Sequence, residues 1–331
     1  MASPALWTVY LDLLIKELRE LGVGCHVGGL YMGVVVYADD VLLLAPTRGA
    51  MQMMLDTCED YATRHNIMFS TDTNPSKSKT KCIFITGPKR NLAKPAPLSL
   101  CGRDLPWLST ATHLGHELHE SGLMEYDAGI KKAIFVNQSV EIRETFGFAN
   151  PIDIVSALKV YCSSFYGCML WDLRGEKAGQ VFNAWTTAIK LAWGVPRATR
   201  SYLVQKVLAP GIPSARADIL ARYGGFYRAL RKSPSCEVAV MANMAGRDIR
   251  STTGSNLAYL QECSGLDPWV YGSARLKEEI LKRETVEIPP SAEWRSSYLR
   301  NLLEQREMFH YMGDNNGKES VTILVDSLCI N

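Results

Sequence analysis

The chain has 331 residues, 47% of them hydrophobic, which is enough to bury a sizeable core and to form two or three domains. No apolar run approaches the roughly 18 residues of a membrane span, and the N-terminal stretch lacks the basic, apolar, small-residue order of a signal peptide, so a soluble intracellular protein is expected. Net charge is only +2 but unevenly spread: residues 126–245 carry 15 basic and 8 acidic side chains, a balance that suits a polyanion, with a solvated basic face as the alternative. The 9 cysteines form no C-x-x-C pair, and their odd number and scatter argue for reduced thiols over a disulfide framework or a zinc knuckle.

In chain order, the first expected element is an amphipathic helix from Leu6 to Leu21, with Leu6, Val9, Tyr10, Leu13, Leu14 and Leu18 on one face and Gly22 and Gly24 ending it. Two β-rich runs follow, Gly33–Tyr37 and Val41–Leu44, separated by Ala-Asp-Asp, which reads as a hairpin with Asp as turn former. Thr47 can cap the next helix, whose stripe is Met51, Met54, Leu55, Cys58, Tyr61 and Ala62. A short strand is expected at Ile67–Phe69. A polar loop then brings Lys77, Lys79 and Lys81 to a strand at Cys82–Ile85. Pro and Gly punctuate residues 87–106, and another strand-like piece covers Trp107–Leu118. From about Glu125 the pattern is helical, with candidates at Ile152–Trp171, Val181–Trp193, Tyr202–Leu208, Ser214–Lys232, Gly272–Arg283 and Ser291–Met312, before a strand-like tail at Val321–Val325.

The adjacent carboxylates Asp39 and Asp40 interrupt an apolar hairpin. If both its faces are buried, the charges need compensation, and a divalent cation such as Mg²⁺ or Mn²⁺, held by carboxylates together with substrate phosphates, supplies it. Adjacent residues on a strand point to opposite faces, so one of them, Asp39, is expected to bridge metals while Asp40 ligates from the turn or orients the site. The alternative is an exposed Asp-Asp turn of no chemical consequence. His113, His116 and His119 form H-x-x-H-x-x-H. On a helix they would fan over about 200–300° and no acidic base is embedded, so a loop or strand with one functional His is expected over a transition-metal site.

Tyr37-Ala38-Asp39-Asp40 between two apolar strands resembles the catalytic box of reverse transcriptases, and its surroundings are similar to the non-LTR (LINE-type) retrotransposon branch. Ser3-Pro4-Ala5-Leu6-Trp7-Thr8-Val9-Tyr10 resembles the second half of that branch's preceding Gln-Gly-x-x-Leu-Ser-Pro motif. The 74–81 loop, Asn-Pro-Ser-Lys-Ser-Lys-Thr-Lys, resembles its lysine motif, and Thr112-His113-Leu114-Gly115-His116 its primer grip. The Trp185-x3-Ile189-x3-Trp193-Gly-Val-Pro196 run looks like its thumb.

The resemblance implies an α+β chain: a partial right-hand polymerase palm (1–125, an antiparallel sheet with helices), an all-α basic thumb (126–245) and a helical C-terminal extension of unknown role (246–331). It implies two-metal nucleotidyl transfer from a dNTP to a DNA primer on an RNA template. Asp39, assisted by Asp40, would hold Mg²⁺ or Mn²⁺. Lys79, or Lys77 in a shifted register, would reach the phosphates and protonate the leaving group, unless the loop is merely solvated. Ser3, Pro4 and Tyr37 would help place nucleotide and template, and His113, Leu114 and Gly115 the primer. A nuclear location follows from the family's role, not from a signal. The family's third palm carboxylate, fingers and Gln-Gly half-motif have no counterpart before Tyr37, so the chain is expected to need an upstream polymerase segment, or else to be a catalytically dead nucleic-acid-binding remnant or a nonfunctional relic.

Overall fold

A computed structural model describes residues 3–72, 74, 78–86, 92–147, 149–199, 201–209 and 212–284, without the side chains of 3–8, 202, 203, 206 and 207. The class is mixed α+β, helix-rich, with only small sheets. The chain divides into two compact units with the boundary at Leu123/Met124, just before the helix that starts at Glu125.

The first unit opens with α1 (Ser3–Glu20), which buries Leu11, Leu14 and Leu18. Two short strands, β1 (His26–Val27) and β2 (Leu30–Tyr31), lead into the hairpin β3 (Val34–Tyr37) and β4 (Asp40–Leu43). Tyr31 lies across Gly33 and donates its hydroxyl to the Leu18 carbonyl at 3.1 Å. A Cβ on Gly33 would meet that ring at 2.5 Å, so glycine is what lets the strand pass under it. Helix α2 (Arg48–His65) is capped by Thr47, whose hydroxyl accepts from the Ala50 N–H at 3.1 Å, and it ends at Asn66 in the left-handed region. Met54, Cys58 and Tyr61 pack on the α1 leucines, with Val34, Val36 and Leu43 of the hairpin against the same cluster.

Further along are β5 (Cys82–Ile83), β6 (Leu98–Leu100), β7 (Arg103–Leu105), β8 (Trp107–Leu108), β9 (Thr110–His113) and β10 (His116–His119). Pairings are β1-β2, β3-β4, β6-β7 and β9-β10, all antiparallel, and β5-β8, parallel. Ile67–Phe69 is not a strand: the residues stay unpaired and lean Ile67 and Phe69 into the α1–α2 core. The β6-β7 hairpin, unforeseen in the Pro/Gly-punctuated stretch, buries Leu98, Leu100 and Leu105 against Leu55 of α2.

The second unit is helical: α3 (Glu125–Thr145), α4 (Pro151–Ala157), α5 (Glu176–Ala192), α6 (Ser201–Leu208), α7 (Ala215–Arg231), α8 (Cys236–Arg247), α9 (Thr252–Ser264) and α10 (Ser273–Glu284). The helix expected over Ile152–Trp171 is broken. After α4 the chain makes a π-helical turn at Leu158–Cys162, places Phe165 at φ 41°, and resumes only as a 3-10 turn at Cys168–Leu170. Trp185, Ile189 and Trp193 lie four residues apart, on α5 and at its C-cap, and are fully buried. Each core indole has an acceptor: Trp171 gives its N–H to Asp127 (2.8 Å), Trp185 to Gln205 (3.1 Å) and Trp193 to the Leu208 carbonyl (3.0 Å).

Residues 246–284, expected as a separate extension, belong to this same core. Leu257, Leu260, Leu276 and Ile280 pack into it, and a Cβ on Gly224 of α7 would meet Leu276 at 2.9 Å and Leu260 at 3.0 Å. Ser291–Met312 and Val321–Val325 lie outside the described residues.

Asn256 (1% exposed) bridges α9 to the chain beside Trp171. It accepts the Leu173 N–H at 2.9 Å and donates to the Trp171 carbonyl at 2.8 Å. Asn256→Ala strands both buried backbone groups and is expected to cost about 3 kcal/mol. A lowered urea midpoint with unchanged m-value would report it.

Candidate active site

The β3-β4 ladder pairs Val34 with Leu43, Val35 with Leu42, Val36 with Val41 and Tyr37 with Asp40, leaving Ala38 and Asp39 as a two-residue turn. Ala38 has φ 52°, the left-handed conformation that glycine takes freely at the first position of such turns and that costs an L-residue about 1 kcal/mol or more. The hairpin tip is therefore a strained one. Ala38→Gly should relieve this, with an expected gain of about 0.5–1 kcal/mol in the stability of the first unit, read as a raised melting temperature.

Two expectations about the carboxylates are corrected here. The hairpin is not buried on both faces. Val34, Val36 and Leu43 face the core, while Val35 and Tyr37 are exposed, Tyr37 by 66%, because among the described residues no further strand or helix covers that side. Nor do both Asp residues lie in the link between the strands, or as neighbours on one strand. Asp39 is in the turn, and Asp40 opens β4 opposite Tyr37, sharing its outward face. Both carboxylates are exposed, and no ion pair reaches either among the described residues.

Two exposed carboxylates one residue apart fit the manner in which Mg²⁺ or Mn²⁺ binds, through one or two carboxylates with water and substrate phosphates completing the shell. They do not make a closed protein cage: among the described residues no group of three or more His, Cys, Asp or Glu side chains is arranged to hold a metal. This includes His113, His116 and His119, which sit on a strand hairpin.

Lys79 is exposed between two anchored neighbours. Ser78 is buried, its hydroxyl donating to the Thr80 carbonyl at 2.8 Å, and the Thr80 N–H donates to the Ser70 carbonyl at 3.2 Å. The loop thus holds the Lys79 ammonium out in solvent. Lys77 lies outside the described residues. Ser3 and Pro4 begin α1, where a proline in the first turn forfeits no helical hydrogen bond.

His113 ends β9 and pairs with His116, so Leu114 (φ 48°) and Gly115 (φ 78°) form a second two-residue turn, with both residues left-handed. No hydrogen bond or ion pair among the described residues joins this turn or Lys79 to Asp39 or Asp40. Known protein-family models and curated proteins were compared with the chain, and none matches it.

A charged constellation in the second unit had no signal in the sequence beyond the i,i+4 pair Asp218 and Arg222 on α7. Asp218, 6% exposed, accepts ion pairs from Lys277 (2.6 Å), Arg222 (2.6 Å) and Lys159 (2.9 Å). Burial alone would raise its carboxyl. The hydrogen bonds from Lys277 and Lys159, with the charges around them, outweigh burial and hold it at about 2. One carboxylate facing three cations leaves this patch net positive.

Proposed function

We propose that the chain is the catalytic-hairpin, lysine-loop and thumb portion of an RNA-directed DNA polymerase of the non-LTR retrotransposon type, working on an RNA template, a DNA primer and dNTPs. The observation that carries the reading is the tip at Tyr37-Ala38-Asp39-Asp40. A left-handed alanine holds two adjacent carboxylates clear of the protein, on a hairpin whose other face is anchored to α1 and α2. The capped helix, the exposed Lys79 between its anchored neighbours and the Leu-Gly hairpin follow it in the order the resemblance implies.

In this reading Asp39 and Asp40 would hold Mg²⁺ or Mn²⁺, which when bound lowers the pKa of the primer hydroxyl and neutralises the departing pyrophosphate. Lys79 supplies a proton donor and a cation for the phosphates, and the His113–Gly115 turn supports the primer strand. A third carboxylate and the nucleotide pocket would come from an upstream segment or a partner chain. The site of action is nuclear by family role, and among the described residues no helix is long and apolar enough to cross a membrane.

A second reading draws on the incomplete cage: a nucleic-acid-binding remnant without catalysis, gripping a duplex through the basic helical unit. Primer extension on poly(rA)/oligo(dT) with Mg²⁺ or Mn²⁺ separates the two. Incorporation that needs an added upstream palm-and-fingers fragment, and is lost with Asp39→Ala, supports the polymerase. Silence with and without the fragment from a folded chain, combined with salt-dependent duplex binding, supports the remnant.

A further inference from the structure

Residues 158–167 of the second unit are irregular and anchored, with Leu158, Cys162, Ser163, Phe165 and Gly167 buried and Val160, Tyr161, Ser164 and Tyr166 exposed. The π-helical turn at Leu158–Cys162 and the left-handed Phe165 are sparsely populated conformations, which persist only where surrounding structure enforces them and which gather at functional sites. The enforcement is visible. Arg222 of α7 donates to the carbonyls of both Ser163 and Ser164, Phe165 is buried against Phe135 and Trp171, and Lys159 is tied to Asp218.

What this anchoring presents to solvent is Tyr161, 70% exposed, and Tyr166, 58% exposed, with Lys131 Nζ over the Tyr166 ring at 5.7 Å. Lys159 lies two residues before Tyr161 on the same turn, Arg222 holds the carbonyls of Ser163 and Ser164 between the two tyrosines, and Lys277 joins both cations at Asp218. Acidic groups near the segment among the described residues include Asp218, shared by Lys159, Arg222 and Lys277, Glu141, whose charge acts on the Cys162 thiol, and the buried Asp127, which accepts from Trp171.

We propose that this surface binds single-stranded nucleic acid, with bases stacked on Tyr161 and Tyr166 and the backbone phosphates drawn to the flanking cations. Exposed aromatic side chains on an anchored segment with cations beside them are the features single-strand binders use. A duplex hides its base faces and would use only the cations. A protein partner is disfavoured because interface centres are depleted of charge, and here charges flank both rings. The proposal goes beyond the polymerase reading. It concerns a separate surface, argued without Asp39 or Asp40, and it needs no primer terminus.

The test is fluorescence anisotropy of the full chain with labelled oligo(dT) of about 20 nucleotides, longer than the roughly 4–16 nucleotide sites of stacking folds, against a blunt duplex of equal length. Each stacked base is worth roughly 5- to 150-fold. Tyr161→Ala with Tyr166→Ala is therefore expected to weaken single-strand binding by about 25-fold or more while duplex binding changes by less than about twofold. The double Phe variant should restore affinity, and Lys131→Gln should lower the salt slope on the single strand by about 0.7.

Equal losses on both probes would overturn the proposal, as would an alanine variant that binds normally or a folded chain with no single-strand affinity. So would concentration-dependent self-association lost in the alanine variant, which would assign the surface to a second copy. If the double alanine variant does not fold, the Phe and Lys131→Gln variants still decide. Failure here leaves the primer-extension reading standing, because the probe has no primer to extend.

Discussion

Asp218→Asn is expected to destabilise the second unit by about 3 kcal/mol and to lower its melting temperature by roughly 6–12 °C. Asparagine keeps the shape and removes the charge. Lys159, Arg222 and Lys277 would then face one another across a buried amide, and an uncompensated cluster costs more than the intact pairs contribute. The three cations remain partly solvated, with side chains 23%, 37% and 30% exposed, which places the loss at the lower end of the range for breaking a buried pair.

The pH dependence gives an independent check. The Asp218 carboxyl is depressed to about 2 in the fold, from an ordinary 3.8, so its contribution is fully present above 3.8 and is lost as pH falls toward 2. The amount at stake is about 2 kcal/mol. Urea unfolding followed by tryptophan fluorescence should show a wild-type to Asp218→Asn gap that is constant from neutral pH to about 5 and narrows below 4. A gap that stays constant down to pH 3 would show that the carboxylate's charge is not what stabilises the unit.

The sequence made some of this architecture readable and hid the rest for physical reasons. Helix α2 could be read almost residue by residue, since a Thr cap and an apolar stripe are local signals. The β3-β4 hairpin could be read as a hairpin, but not which two residues form its turn. Val- and Leu-rich runs identify the strands, whereas the turn's position depends on the ladder register, and a one-residue difference moved Asp40 from the link onto β4. Burial on both faces was inferred from a continuous apolar run. Such a run does not encode how many strands stand beside it, and here Val35 and Tyr37 face solvent.

The β6-β7 hairpin was hidden because its turn is Cys101-Gly102, with Cys101 at φ 52°, and cysteine is no turn signal. The break after α4 is enforced by Arg222, about 60 residues away in sequence, while the apolar periodicity runs on through it. The Asp218 cluster draws its cations from the π turn, α7 and α10. No local pattern links those positions.

The largest effect is expected at the hairpin tip. In a primer-extension reaction complemented by an upstream fragment, Asp39→Asn should lower incorporation by roughly 10³-fold or more. Charge neutralisation at a reacting phosphate is worth several kcal/mol, and each 1.36 kcal/mol is a factor of ten. Asparagine retains the size and turn preference of Asp39, so the fold and the strained Ala38 should persist and the loss should fall on kcat. Asp40→Asn should also reduce incorporation, by less, because Asp40 opens β4 opposite Tyr37 and would assist rather than bridge. If Asp39→Asn keeps within tenfold of the parent activity while the melting temperature is unchanged, the carboxylates are the plain exposed turn that Asp favours on its own account, and the remnant reading takes the place of the polymerase.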